Sequence, residues 1–138
     1  MSGWLLEVNV LLGCGWKSHA DHESLMRWLL QSNEWATCPL TESGFLRISM
    51  TAAYQADFED ARKTLSTLRA LPGHRFLTDD VSVASLPVLS SYKETTDAHL
   101  VTLAKRHGLK LATLDDLLIA KTWAAGVAEN PLLQTAKA

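Results

Sequence analysis

One stretch near the start of the chain limits its possible folds more than any other. Residues 4–12 (WLLEVNVLL) are almost continuously apolar and rich in large and β-branched side chains. Such a run is typical of a strand that is covered on both faces within a parallel sheet. Glu7 interrupts the run, and a buried carboxylate is costly unless it is paired or bound to a metal. The sequence therefore predicts a central strand whose acidic residue needs a partner.

The rest of the chain alternates predicted helices with short predicted strands. Apolar residues recur at helical spacing in four segments, and short apolar runs lie between these segments. The predicted helices are His22–Gln31, one that starts at Pro39, residues 56–71 and residues 95–107, and the predicted strands are residues 35–38, 74–77 and 109–114. A last helix is expected to open at Asp115 and Asp116 and to run to about Ala125. This alternation predicts one α/β domain, residues 1–138, with a parallel sheet.

Composition narrows the class of protein further. The chain is 47% hydrophobic and 20% charged, as globular proteins are, and no apolar run reaches a membrane-spanning length. No secretory signal is recognisable either, so we expect a cytoplasmic protein without a membrane partner. In that reducing compartment Cys14 and Cys38 are expected to be buried thiols. The net charge of −2 argues against a protein that binds nucleic acid by charge alone.

Four acidic residues fall where a parallel α/β fold presents side chains to a ligand. Glu7 lies within the first predicted strand, Glu42 and Asp97 near the starts of two helices, and Asp115 just after a strand. Gathered carboxylates repel one another unless a divalent cation compensates their charge, and hard oxygen ligands select Mg²⁺ or Mn²⁺. Such ions support phosphodiester hydrolysis. The alternative is structural, with three acids complementing helix dipoles and Glu7 paired with a basic residue.

Five segments also carry a recognisable pattern in a fixed order. They are LLEVNVLL (5–12), CPLTESGFLRI (38–48), LPGHRFL (71–77), TDAHLVTLAKRHG (96–108) and LATLDD (111–116). Together they resemble the PIN-domain ribonucleases, in particular the VapC-type toxins of toxin–antitoxin pairs. The resemblance implies a three-layer α/β/α sandwich with a central parallel sheet and a Mg²⁺- or Mn²⁺-dependent endoribonuclease. It further implies a homodimer and inhibition by a cognate antitoxin of the VapB type.

The resemblance assigns roles to individual residues. The family's catalytic, metal-binding acids fall on Glu7, Glu42, Asp97 and Asp115, and the polar residues that support them on Asn9, Thr41 and Thr113, with Asp116 as a further supporting acid. The family pattern has Asp where this chain has Glu7. Glutamate is one methylene longer, and a displacement of about 1 Å can lower a rate about a hundredfold.

Two other functions stay open beside the nuclease. One is a PIN-like interaction or RNA-binding module whose catalysis is weakened or lost because Glu7 replaces aspartate. The other is a phospho-acceptor receiver domain, which also gathers acids at strand ends, but the aspartate and lysine that it needs are not evident. Metal-dependent cleavage would exclude the first, and resistance to a phosphoryl donor would exclude the second.

The basic residues are compatible with an RNA substrate. Without the four candidate acids the remaining side chains carry a net positive charge. Lys17 and Arg47 are the favoured phosphate contacts, and Lys93, Lys105 and Arg106 are further candidates. Each of these side chains is equally typical of an ordinary solvated surface.

Overall fold

A five-stranded parallel sheet forms the centre of the computed structural model, which describes residues 3–133. The strand order is β3-β2-β1-β4-β5, so the first strand lies in the middle. The strands are β1 (Gly3–Leu6), β2 (Glu34–Thr37), β3 (His74–Phe76), β4 (Lys110–Ala112) and β5 (Ala128–Glu129). All four pairings are parallel, with Leu5 opposite Ala36 on one side and Leu111 on the other. The predicted parallel sheet is therefore confirmed.

Helices cover both faces of this sheet. They are α1 (Val8–Gly15), α2 (His22–Gln31), α3 (Pro39–Ser49), α4 (Phe58–Arg69), α5 (Thr95–Arg106) and α6 (Asp116–Ile119), with single helical turns at Val83–Ser85, Tyr92–Glu94 and Thr122–Ala124. Leu5 and Leu111 pack with α5 and α6, whereas the alternate residues Leu6 and Ala112 pack with α1 to α4. Adjacent strand residues point to opposite faces, so two cores form. The α/β/α sandwich is confirmed.

The prediction for the first strand, residues 4–12, is wrong after Leu6. β1 ends at Leu6, and residues 8–15 form α1 with Gly13, Cys14 and Gly15 inside it. This helix has no polar face because it packs against α2, α3 and α4. A short, continuously apolar sequence of this kind is equally typical of a buried strand, so its pattern did not predict a helix. Glu7 therefore lies at the junction of strand and helix, and Asn9 lies in the first turn of α1.

The end of the chain also departs from the prediction. The helix expected from Asp115 to Ala125 stops at Ile119, and after a turn at Thr122–Ala124 the chain enters β5. Gly126 has a φ of +78°, a conformation that glycine adopts without strain, and it redirects the backbone into this strand. With two residues, β5 is too short to leave an apolar signal in the sequence.

The predicted helices His22–Gln31 and 95–107 and the one that starts at Pro39 agree with α2, α5 and α3, and α4 is slightly shorter than predicted. Gly108, at a φ of +67°, follows α5 as a left-handed cap. Cys14 and Cys38 are buried free thiols, as expected. Within residues 3–133, no helix is both long enough and apolar enough to cross a membrane.

Candidate functional site

Two neighbouring strands bring distant acidic segments together at the carboxyl edge of the sheet. Leu6, the last residue of β1, lies opposite Ala112, the last residue of β4. The backbone amide of Glu7 donates to the carbonyl oxygen of Ala112 at 2.9 Å, which continues the ladder by one residue. Glu7 therefore meets the segment that starts at Thr113 and leads to Asp115.

The buried hydroxyl of Thr113 organises this edge. It donates to Oε2 of Glu7 at 3.2 Å and accepts hydrogen bonds from the Asp115 backbone amide at 3.0 Å and from Nδ2 of Asn9 at 3.4 Å. Oδ1 of Asn9 accepts in turn from the backbone amide of Leu114 at 3.2 Å. Thr113 thus contacts the Glu7 side chain and the Asp115 backbone, and Asn9 contacts Thr113 and the Leu114 backbone.

Glu7, Asp97 and Asp115 form a cluster of mutually repelling carboxylates, here called the carboxylate cluster. Burial raises the pKa of Glu7 from 4.5 to about 7, and the charges of Asp97 and Asp115 add to this shift, while the Thr113 hydroxyl opposes it. Burial and Asp115 also raise the pKa of Asp97, although its hydrogen bond with Glu7 lowers it. The structure therefore gathers three of the four predicted acids into one cluster of like charge.

The donor chemistry of this cluster suits a hard divalent cation. Mg²⁺ takes oxygen ligands, usually one or two protein carboxylates with the remaining positions held by water or substrate. Across the described part of the chain, no group of three His, Cys, Asp or Glu side chains is arranged as a ready-made metal cage. Carboxylate oxygens are ligands of the kind that Mg²⁺ takes, and a bound cation would offset the repulsion that raises the pKa of Glu7.

Asp115 has a structural role as well. Its Oδ1 accepts hydrogen bonds from the backbone amides of Leu117 at 3.0 Å and Leu118 at 3.3 Å, so it caps α6. Together with the Thr113 contact to its own amide, these bonds fix the position of its carboxyl group. Asp115 therefore both caps a helix, which was the structural alternative, and belongs to the carboxylate cluster.

Glu42 lies at the start of α3 with its charge already compensated. Its Oε2 accepts from the Thr37 hydroxyl at 2.7 Å, and its Oε1 accepts from Nη1 of Arg69 at 3.2 Å. It is absent from the charges that raise the pKa of Glu7 and Asp97. The structure thus places Glu42 at the same edge of the sheet but does not join it to the carboxylate cluster.

The support of Glu42 extends to a histidine. Nε2 of His74 lies 2.8 Å from the Thr37 hydroxyl oxygen, and that hydroxyl gives its only proton to Glu42. His74 therefore donates from Nε2. Burial and the charge of Arg69 lower the pKa of His74 to about 4, so the ring is neutral near pH 7. Sequence reasoning missed this chain from Arg69 to His74 because its members are scattered and separately unremarkable.

Four further predicted residues lie outside the carboxylate cluster. The buried Thr41 bonds with the Cys38 backbone at 3.0 Å and starts α3, and Asp116 is exposed in the first turn of α6. Lys17 and Arg47 are exposed. None of these four side chains hydrogen bonds to Glu7, Asp97 or Asp115 within residues 3–133.

A cavity of about 570 Å³ opens between the starts of α3 and α5, beside Asp97, with Leu40, Thr96 and His99 among its walls.

Comparisons with known proteins show the family to which this chain is similar. Residues 5–122 match the PIN domain family. The chain is 45% identical over 118 residues to Ribonuclease VapC38 of Mycobacterium tuberculosis, covering 80% of this chain and 84% of the relative. It is 38% identical over 135 residues to Ribonuclease VapC39 of the same organism, covering 91% and 96%.

A solved structure is similar to this one at the level of the fold. It is the crystal structure of VapBC2 from Rickettsia felis bound to a DNA fragment from their promoter. The TM-score is 0.60 at 12% identity, and the alignment covers 93% of this chain and 98% of that chain. At this identity the likeness supports the shared sandwich alone.

Proposed function

The chain belongs to the PIN-domain family, of which it is a VapC-type member, and from that premise we propose that it is a ribonuclease, the toxin of a toxin–antitoxin pair. The observation that carries the proposal is the carboxylate cluster at the carboxyl ends of β1 and β4. Phosphodiester hydrolysis needs a compensating cation at such a site, and a site of this charge attracts one.

Glu7, Asp97 and Asp115 are the proposed catalytic carboxylates and would hold Mg²⁺ or Mn²⁺, with Glu42 as a fourth acid. When bound, the ion supplies the positive charge that activates water and stabilises the leaving oxygen. Thr113 and Asn9 orient Glu7 and the backbone before Asp115. Thr37 and Arg69 hold Glu42 at the start of α3.

The proposed partners follow from the family and from the charge of the surface. RNA is the substrate, with Lys17 and Arg47 as phosphate contacts. We propose that the protein acts on this RNA in the cytoplasm. A VapB-type antitoxin is the proposed protein partner, supported by the VapBC2 complex that shares the fold. A second copy of the chain completes a homodimer, and residues 1–138 act as one domain.

The test is cleavage of a mixed pool of structured RNA by the purified chain with Mn²⁺ or Mg²⁺. We expect cleavage that a chelator abolishes and that Asp97→Asn reduces at least about a hundredfold, since a metal-binding carboxylate is removed. Asp60→Asn, which removes an exposed acid in the first turn of α4, is the matched control and should retain full activity. Cleavage that persists in chelator, or in Asp97→Asn, would contradict the proposal.

A second candidate function has one specific observation in its favour. Glu7 stands where the family pattern has aspartate, and a side chain longer by one methylene can hold an ion while misplacing the reacting water. The chain would then be an RNA-binding or interaction module. Glu7→Asp distinguishes the two: cleavage by this variant alone indicates a disabled nuclease scaffold, and cleavage by the unmodified chain excludes the module.

A further inference from the structure

A second cavity lies away from the carboxylate cluster, along the later turns of α5. Its volume is about 460 Å³, within the range of small-molecule sites. Thr102, Lys105 and Arg106 of α5 form one wall, the segment around Pro87 forms another, and Trp123 closes the space. Neither the family assignment nor the proposed chemistry uses this cavity.

The charge of the lining favours an anion. Lys105 and Arg106 line the cavity together with hydroxyl groups, and none of the described residues that line it is acidic. Lys105 is exposed and has no ion pair among residues 3–133. Nη1 of Arg106 donates to Asp80 at 2.8 Å, but the Asp80 side chain is 85% exposed, and such surface pairs contribute little. Nη2 of Arg106 also donates to the Ser85 hydroxyl of the same lining at 3.3 Å, so a phosphate in the cavity would replace two surface contacts with one bidentate pair.

The remaining walls favour a flat, apolar group. Trp123 is half-buried and packs against the core beneath α5, which fixes its indole ring. Pro87 lies on the same lining as a second rigid ring. Nucleobases stack on such rings without regard to base identity, and cations beside an aromatic platform are typical of single-stranded nucleic acid sites. Cations and ring together match one ligand class, a base joined to a phosphate.

We propose that this cavity binds a nucleoside phosphate, and that its ligand is a nucleotide of the RNA substrate remote from the cleaved bond. The RNA assignment rests on the proposed nuclease function. Asp97 and Lys105 are on the same helix, eight residues apart, which is about 12 Å along its axis. A single RNA molecule can therefore reach both the carboxylate cluster and the cavity. By binding a nucleotide away from the cleaved bond, the cavity would select which RNA is held at the cluster.

The first experiment measures binding of adenosine monophosphate, adenosine and inorganic phosphate by calorimetry in a chelator, so that no cleavage occurs. Lys105→Gln/Arg106→Gln should weaken adenosine monophosphate binding at least about tenfold, since both cations are removed. The matched control Arg27→Gln/Lys63→Gln removes two exposed cations from α2 and α4 and should leave affinity within about twofold. Equal affinity of the unmodified chain and Lys105→Gln/Arg106→Gln overturns the proposal.

A second variant tests the aromatic wall. Trp123→Leu should weaken binding of adenosine monophosphate and of adenosine but not of inorganic phosphate, because only the nucleoside stacks on the ring. Circular dichroism reports whether this variant keeps its fold. If Trp123→Leu does not fold, the binding measurement on Lys105→Gln/Arg106→Gln, which changes two exposed residues, still tests the proposal. An unchanged affinity for adenosine in folded Trp123→Leu contradicts the stacking role.

The source of the nucleotide is decided with RNA oligonucleotides of about eight residues in the chelator. The affinity for RNA falls as the salt concentration rises. For an RNA ligand, Lys105→Gln/Arg106→Gln should make this fall less steep, by about 0.7 in the slope of log affinity against log salt for each phosphate that the protein no longer neutralises. Reduced adenosine monophosphate affinity with unchanged oligonucleotide affinity overturns the RNA assignment and identifies a free nucleotide as ligand. Cleavage is scored separately, so absent cleavage with intact binding refutes the nuclease and not the cavity.

Discussion

Glu7 makes the metal-free protein less stable as the pH rises. Its pKa is 4.5 in an ordinary setting and about 7 in the folded protein, so between these values the folded state binds more protons than the unfolded chain. Stability falls with pH in that window, by up to about 1.4 kcal/mol per pH unit. The contribution is complete below pH 4.5 and lost above pH 7. Urea unfolding in a chelator across this range measures it.

The control for this prediction is Glu7→Gln, which keeps the shape of the side chain and cannot ionise. Its free energy of unfolding should lose the part of the pH dependence that the unmodified chain shows between pH 4.5 and pH 7. Asp97 contributes in the same direction because its pKa is also raised, so a smaller slope will remain. Identical slopes in the two proteins would show that Glu7 is not the titrating group.

The Thr37 hydroxyl links the carboxylate of Glu42 to the ring of His74. Thr37→Val keeps the volume but leaves two partly buried polar groups without this partner, so we expect a decrease of about 1–3 kcal/mol in the free energy of unfolding. Thr37→Ser retains the hydroxyl and should lose less. Urea denaturation of both variants checks this, and an equal decrease in the two would show that the hydrogen bonds are not the cause.

The acids were predictable to different degrees. Asp115 could be placed at the carboxyl edge of the sheet because it follows a predicted strand, whereas Glu7 was predicted inside its strand, which in fact ends at Leu6. Asp97 followed from its helix start. The pairing of Glu42 with Arg69 was not predictable, since the two residues are 27 positions apart and no local pattern links them. The membership of a cluster is thus easier to predict than the charge state of its members.

At the scale of elements, patterns with one polar face were interpreted correctly and the buried helix was not. α4 alternates charged and apolar residues, so its period is visible in the sequence. α1 is apolar on nearly every side and has no period to detect. A strand then explains the run as well as a helix does, and only the three helices that surround α1 in the fold decide the matter.

The packing of α1 against α3 depends on Gly44. A Cβ at this position would lie 2.6 Å from Cγ2 of Val8, a short and stiff side chain. Gly44→Ala should therefore destabilise the protein by about 1–3 kcal/mol through overpacking, although alanine is the better helix former by about 1 kcal/mol. Urea unfolding measures the change.

A double-mutant cycle supplies the control for the Gly44 prediction. Val8→Ala removes the methyl group that the new Cβ would meet, so Gly44→Ala should cost clearly less in its presence. Additive effects in the double variant would show that the clash with Val8 is not the cause of the destabilisation.

At the scale of the whole molecule, a divalent cation should act as a stabilising ligand. Mg²⁺ or Mn²⁺ at about a hundred times its Kd should add about 2.7 kcal/mol to the free energy of unfolding. We expect the effect above pH 7, where Glu7 is ionised, and little of it near pH 4.5. Thermal unfolding with and without the ion measures this, and a shift of the same size in Asp97→Asn would place the ion elsewhere.

The central position of β1 also bears on how the protein is synthesised. This strand is translated before the other four strands of the sheet, yet one of its two neighbours is β4, and Thr113 contacts Glu7 across 106 positions of sequence. A nascent chain therefore holds Glu7 without Asp97 or Asp115 until the ribosome has translated those two positions. Fragments that end before β4 lack both the strand and the acids beyond it, so translation that aborts early releases products without the carboxylate cluster.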